Sequence, residues 1–218
     1  MRPLHVVVIV SKWFRRFGAI PGVVYEPPRL LDRRKLAGHD AVPEQHVHQF
    51  EGKRRETLWW PGQGDGGGSS ASPAHRRAFV DSRHASTATV LRHAYEGLEL
   101  PGEPSDYHFL IQGCAEQLWS RRRDEPSVVA EVEKLCWLDI KLVQACPDAV
   151  GDEYSEEQRF YAILAFPRLI EIYEREGALA EALEVADVAV RYGQCGDARQ
   201  RIVERIAAVE AEASADQS

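Results

Sequence analysis

Tyr173-Glu-Arg-Glu-Gly-Ala-Leu-Ala-Glu-Ala-Leu183 decides how this chain of 218 residues folds. Gly177 supplies the residue type that ends helices in a left-handed turn, and the alanine-rich run behind it restarts a helical pattern at once. Upstream, Ser155 with Gln158 forms a capping box, so a helix is expected from Glu156 to Glu176. Pro167 then falls in its middle, where a missing N–H bends a helix around its neighbours. Downstream, the partner helix runs from Ala178 to Tyr192 and closes at Gly193. The unit is a helical hairpin.

Working outward, the same period of apolar residues recurs. Thr87 to Leu98 places Val90, Leu91, Ala94, Tyr95 and Leu98 on one face, and Pro101 with Pro104 ends it. Ser105 caps the next helix, in which Tyr107, Leu110, Ile111, Cys114 and Leu118 form the stripe and Arg121, Arg122 and Arg123 complement the negative end of the dipole. Pro126 and Ser127 open a third, running to Cys146 before Pro147. Asp197 to about Ala213 closes the set. Short turns between these helices imply antiparallel neighbours.

The front of the chain reads differently. The β-branched run His5 to Val10 predicts one buried strand, and Val23 to Tyr25 a second. From Pro27 to Arg83 no period is visible. Gly62 to Pro73 has the composition of a flexible linker. The expected organisation is a basic, largely irregular N-terminal region at 1–61, a Gly/Ser/Pro-rich linker at 62–85, a helical domain at 86–213 and a tail at 214–218. The expected fold class is mainly α: an antiparallel helical array of about six helices in hairpins, after an irregular region with one or two short strands.

Charge follows that division. Residues 1–86 carry 14 Lys/Arg against 8 Asp/Glu, and residues 87–218 carry 13 against 26, which sum to the formal charge of −7. An acidic helical half argues against a grip on nucleic acid. Arg54 and Arg55 before Trp59 and Trp60, with Arg76 and Arg77 later, have the composition of a single-strand binding surface. A tether whose apolar residues dock on the helical body explains them as well. Cys114, Cys136, Cys146 and Cys195 have no zinc-like spacing and read as small buried hydrophobes. The apolar run Leu4 to Val10 is too short to span a bilayer and has no cleavage site behind it, so the expectation is a cytoplasmic protein with no membrane contact.

From Ile163 to Gln194 the chain resembles one tetratricopeptide repeat. Phe166, Leu169, Tyr173, Gly177, Ala182 and Ala189 carry the resemblance, while Ile170, Ala186 and Gln194 depart from the family's preferences. It covers about 32 of the 218 residues. The resemblance implies hairpin packing in which small alanines let two helices approach, with the first helix lining a concave surface that meets a protein or peptide partner. The positions facing that partner would be Pro167, Glu171, Glu174 and Arg175. Pairing with a second copy through an uncapped edge is left open.

Two further candidates come from the residues themselves. Asp139 falls at the centre of the stripe made by Val132, Leu135, Cys136, Leu142 and Val143, so it is expected to be buried. A buried carboxylate needs a partner, and Arg159, Arg168 or a helix N-terminus are the expected ones. Its alternative role is a binding or acidic group at the floor of a groove. His46 and His48 share one side of the chain if their segment is a strand, with Glu51 nearby, a geometry metals use. No phosphate loop follows Gly64 to Gly68, and no nucleophile elbow is present, so no cofactor is expected. The function these residues favour is a non-enzymatic interaction module. The competing class is a ligand-binding, metal-binding or catalytic protein with its site between the N-terminal region and the helices.

Overall fold

A computed structural model describes residues 13–50, 53–62, 67–78, 85–151 and 160–215. The strand expected at His5 to Val10, the capping box at Ser155 and Gln158, and Arg159 lie outside the described residues. Among them are six α-helices: α1 (Thr87–Leu98), α2 (Pro104–Trp119), α3 (Val128–Ala145), α4 (Ala165–Glu176), α5 (Leu179–Val190) and α6 (Gly196–Ala215). Each packs against the next in sequence. The chain is mainly α, with one two-stranded antiparallel sheet near the front.

That sheet is a hairpin of β1 (Glu44–Phe50) and β2 (Lys53–Trp59), in register from Glu44 opposite Trp59 to Phe50 opposite Lys53. It lies in the span read as aperiodic. Val23 to Tyr25, expected as a strand, is irregular, and Val23 is buried there.

The helix starts follow local chemistry. Pro104 occupies the first turn of α2, a position where a missing N–H costs nothing, and Asp106 Oδ2 accepts from the Glu103 backbone N–H at 2.7 Å. The helix therefore begins one residue before the expected cap at Ser105. The start of α4 is corrected more strongly. Residues 161–163 are not helical, and α4 begins at Ala165. Pro167 is thus in the first turn rather than mid-helix, where it would cost about 3 kcal/mol. The amides ahead of it find side-chain partners instead: Gln112 Oε1 accepts from Leu164 N at 3.1 Å and Gln194 Oε1 from Ile163 N at 3.0 Å. Gly177 ends α4 in the left-handed region at φ 77°, and its lack of a Cβ makes that turn cheap. Phe166, Leu169, Ala182, Ala186 and Ala189 are buried between α4 and its neighbours.

The N-terminal region contributes to the same core. Phe17, Ile20, Val23, Leu36 and Ala74 join the apolar cluster of the helices. Phe14 and Gly102 exchange two backbone hydrogen bonds of 2.8 and 3.0 Å, and the Tyr107 hydroxyl reaches the carbonyls of Leu100 at 2.8 Å and Phe14 at 3.1 Å. Phe17 stacks edge-on against Tyr107 and Tyr25, both with ring centroids 5.6 Å apart. Arg33 straps the layers by donating to the carbonyls of Glu99, Arg15 and His39. Within the span read as a linker, Ser72, Pro73 and Ala74 are buried against this end of the helices. Gly102 permits that approach, since a Cβ there would sit 2.9 Å from the Ala74 Cβ.

A wholly buried phenylalanine replaced by alanine leaves a cavity, so Phe17→Ala should cost about 3–5 kcal/mol. Urea unfolding followed by the helical circular dichroism signal checks this. A midpoint equal to the parent's would mean that the N-terminal region is not part of the cooperative unit.

Candidate functional site

The four positions that the repeat resemblance implies for a partner, Pro167, Glu171, Glu174 and Arg175, line one open groove between α4 and α6 of about 380 Å³. Across it stand Cys195, Ala198, Arg201 and Arg205. Arg201 and Arg205 are one turn apart on α6, so both reach the same carboxylate: Glu174 accepts from each at 2.8 Å. Hydrogen bonding from Arg201, and then from Arg205, holds the Glu174 carboxyl below its ordinary value. Glu174 is consequently turned in and saturated, with a side chain 14 % exposed, whereas Arg201 and Arg205 are about half exposed at 54 % and 46 %. Arg175 makes a 3.6 Å contact with Glu171 and is mostly in solvent. The groove therefore offers guanidinium N–H groups outward over an apolar floor that includes Ile170 and Ala198.

Asp139 is buried, and its partner among the described residues is neither Arg168 nor a helix N-terminus, while Arg159 lies outside them. Arg168 instead forms a two-toothed pair with Glu116 at 2.7 and 2.8 Å. Asp139 Oδ1 lies 2.7 Å from His108 Nδ1, and the two side chains are 1 % and 0 % exposed. Asp139 Oδ2 and His108 Nε2 are buried with no hydrogen-bond partner among the described residues. Burial pushes the Asp139 carboxyl up from its ordinary value, against the lowering effect of the His108 hydrogen bond. Beside the pair is a cavity of about 10 Å³ lined by Gln112, Glu116, Cys136, Asp139 and Arg168, near the lower limit for one water. Burial also raises the Cys136 thiol. In this arrangement no substrate reaches the pair.

His108 is absent from the sequence-derived stripe of α2. Its signal is a second stripe, because Ile111, Ala115 and Trp119 follow His108 at helical spacing and all are buried. A helix apolar on two faces is enclosed on two sides. Arg201 and Arg205 are the other missed residues, legible only once α6 is set opposite α4.

His46 and His48 do lie on one strand, β1. His46 is exposed, 3.6 Å from Glu44 and 5.6 Å from the Trp59 ring centroid. Among the described residues no group of three or more His, Cys, Asp or Glu side chains converges on a metal position. The basic and aromatic residues of the arm are divided. Trp60 is wholly buried, Arg77 pairs with Glu96 at 3.1 Å, and Arg76 donates to the Pro61 carbonyl. No helix among the described residues is long and apolar enough to cross a membrane. The chain matches no family model, no curated protein and no solved structure.

Because burial raises Asp139, the folded chain holds that proton more tightly than the unfolded one. Its contribution is complete below the unfolded carboxylate value of about 3.9 and is lost as pH rises through the raised folded value. Asp139→Asn removes the titration while keeping an oxygen opposite His108. The parent's unfolding free energy should therefore decline with rising pH relative to the Asn variant's, measured by urea titration across pH. Parallel profiles would show that no proton is linked to this pair. Asp139→Ala, which strands His108 Nδ1, should cost about 1–3 kcal/mol at low pH, where the parent's contribution is complete, and less as pH rises.

Proposed function

We infer that this chain is a non-enzymatic interaction module that holds an extended, acidic segment of a partner protein in the groove between α4 and α6. The observation that carries the reading is the convergence of Pro167, Glu171, Glu174 and Arg175 with Arg201 and Arg205 on that one open groove. Glu174 is already satisfied, so an incoming carboxylate finds the outward donors of Arg175, Arg201 and Arg205. Charge-assisted bonds of this kind give register and specificity. The likeness of 163–194 to a tetratricopeptide repeat supports the same use of α4 as a partner-facing helix. A cytoplasmic setting belongs to the same reading and rests on four unpaired cysteines.

The rival class, an enzyme or ligand-binding protein with its site between the N-terminal region and the helices, draws on the stranded atoms of His108 and Asp139. It requires those elements to part, since both side chains are closed from solvent.

Random-peptide display on the full chain tests the groove. Enriched peptides should be rich in Asp and Glu, and Ala198→Trp, which fills the groove at a half-buried position, should weaken them by about tenfold or more. A fold check by circular dichroism accompanies the variant. Failure to enrich any peptide, or equal binding by parent and Ala198→Trp, would overturn the reading.

A further inference from the structure

A second cavity, of about 340 Å³, opens where the turn between α2 and α3 meets the end of α4. Its wall is built from Trp119, Arg122, Arg123, Arg175 and Glu176. Among the lining side chains three guanidinium groups stand against one carboxylate, an excess of two positive charges once Arg175 releases Glu171. That excess sits on a helical half that is acidic by 13, from 13 Lys/Arg against 26 Asp/Glu over residues 87–218.

Arg122 is held in place and left unfinished. Its guanidinium stacks over the Trp119 ring at 4.3 Å, and Nη1 donates to the Trp119 carbonyl at 3.0 Å. The Arg168 guanidinium also lies over the Trp119 ring at 5.2 Å, and Arg168 is itself fixed by Glu116. Yet Arg122 Nε is buried and has no acceptor among the described residues. Nε is closed to a water-sized atom, so a ligand oxygen would meet the remaining nitrogens of the half-buried guanidinium. Neither Arg122 nor Arg123 makes an ion pair with a described residue, and the Arg175 contact to Glu171 is long and exposed enough to give way.

We propose that this cavity binds a phosphate monoester whose alcohol is a compact apolar or aromatic group. The guanidinium fork matches two oxygens of a tetrahedral anion. The charge decides among anions: a phosphate monoester carries about −1.5 to −2 at neutral pH, which balances the excess, while a carboxylate or sulfate ester balances half of it. The volume decides the rest. It is at the lower end of small-molecule sites, roomier than bare phosphate needs, and Pro126, Val129 and Ile172 supply an apolar wall for the ester's body. Two sources share this chemistry, a free metabolite and a phosphorylated side chain on a partner. The second would rest on the interaction reading above, because Arg175 belongs to both grooves. The site itself stands without that reading.

The test uses the full chain labelled with ¹⁵N and phenyl phosphate as the probe. The Trp119 indole resonance, assigned through Trp119→Phe, should shift on titration, and phenyl sulfate, of the same shape and half the charge, should bind about tenfold more weakly. Arg122→Gln and, separately, Arg123→Gln should each reduce phenyl phosphate affinity by about tenfold while leaving the melting temperature near the parent's. The two variants guard against one failing to fold. A tyrosine-phosphorylated peptide that binds much tighter than free phosphotyrosine assigns the site to a protein partner, and equal affinities assign it to a small metabolite; either supports the site. Equal affinity for the phosphate and sulfate esters, no loss in both variants, or no shift at Trp119 would overturn it. Loss of peptide selection in the α4–α6 groove with intact phenyl phosphate binding would sink only the interaction reading.

Discussion

The enclosure of α2 on two faces is the constraint from which the rest of the molecule follows. A helix of 16 residues that buries Tyr107, Leu110, Cys114 and Leu118 on one side and His108, Ile111, Ala115 and Trp119 on another cannot rotate or slide without exposing one set. Each successive turn then fixes a different neighbour. Tyr107 anchors the N-terminal region through Phe14 and Phe17, His108 meets α3 at Asp139, Gln112 and Glu116 hold the start of α4, and Trp119 props Arg122. Apolar burial supplies most of the free energy here, at about 25 cal/mol per Å² removed from water. The polar contacts select which of several similarly buried arrangements is adopted.

The two polar links from α2 to the neighbouring helices differ in kind. Glu116 with Arg168 is partly exposed and bidentate, so each ion keeps some hydration and the pair is worth little more than a good surface contact. His108 with Asp139 is closed from water entirely. Full charge separation there would carry a desolvation penalty of several kcal/mol per ion that one 2.7 Å hydrogen bond does not repay while an oxygen and a nitrogen stay stranded. A near-neutral pair sharing one proton is the arrangement that burial favours, consistent with the upward displacement of Asp139. The pair therefore fixes register more than it stabilises.

Helix ends are legible in the sequence wherever one residue carries its own stop signal. Gly177 and Pro147 end α4 and α3 for reasons local to each. The start of α4 is not legible, because its leading amides are satisfied by Gln112 and Gln194, 52 and 31 residues away in sequence. The hairpin of β1 and β2 is also hidden: Glu44 to Phe50 holds only two apolar residues, and a backbone ladder leaves no trace in side-chain pattern. Asp139 is legible as a buried carboxylate because its own helix places it, whereas its partner is not, since His108 requires knowing that α2 has a second buried face. Of the groove residues, those on α4 are the positions that the likeness to a repeat singles out. Those on α6 and on the α2–α3 turn depend on which elements become neighbours, which no local pattern encodes.

In the proposed readings, the placement of positive charge is what that tertiary arrangement contributes to function. Arg122, Arg123, Arg175, Arg201 and Arg205, drawn from three separated segments, line two grooves that meet at Arg175. Viewed from beyond a Debye length, about 8–10 Å in physiological salt, an anion meets the field of an acidic body and is not steered in. Within that distance it meets exposed guanidinium groups whose own carboxylate, Glu174, is already satisfied by two of them. Under the readings proposed above, such a surface would disfavour polyanions such as nucleic acid, whose many charges lie outside the grooves, and would hold a compact anion that fits inside, with recognition set by contact and shape.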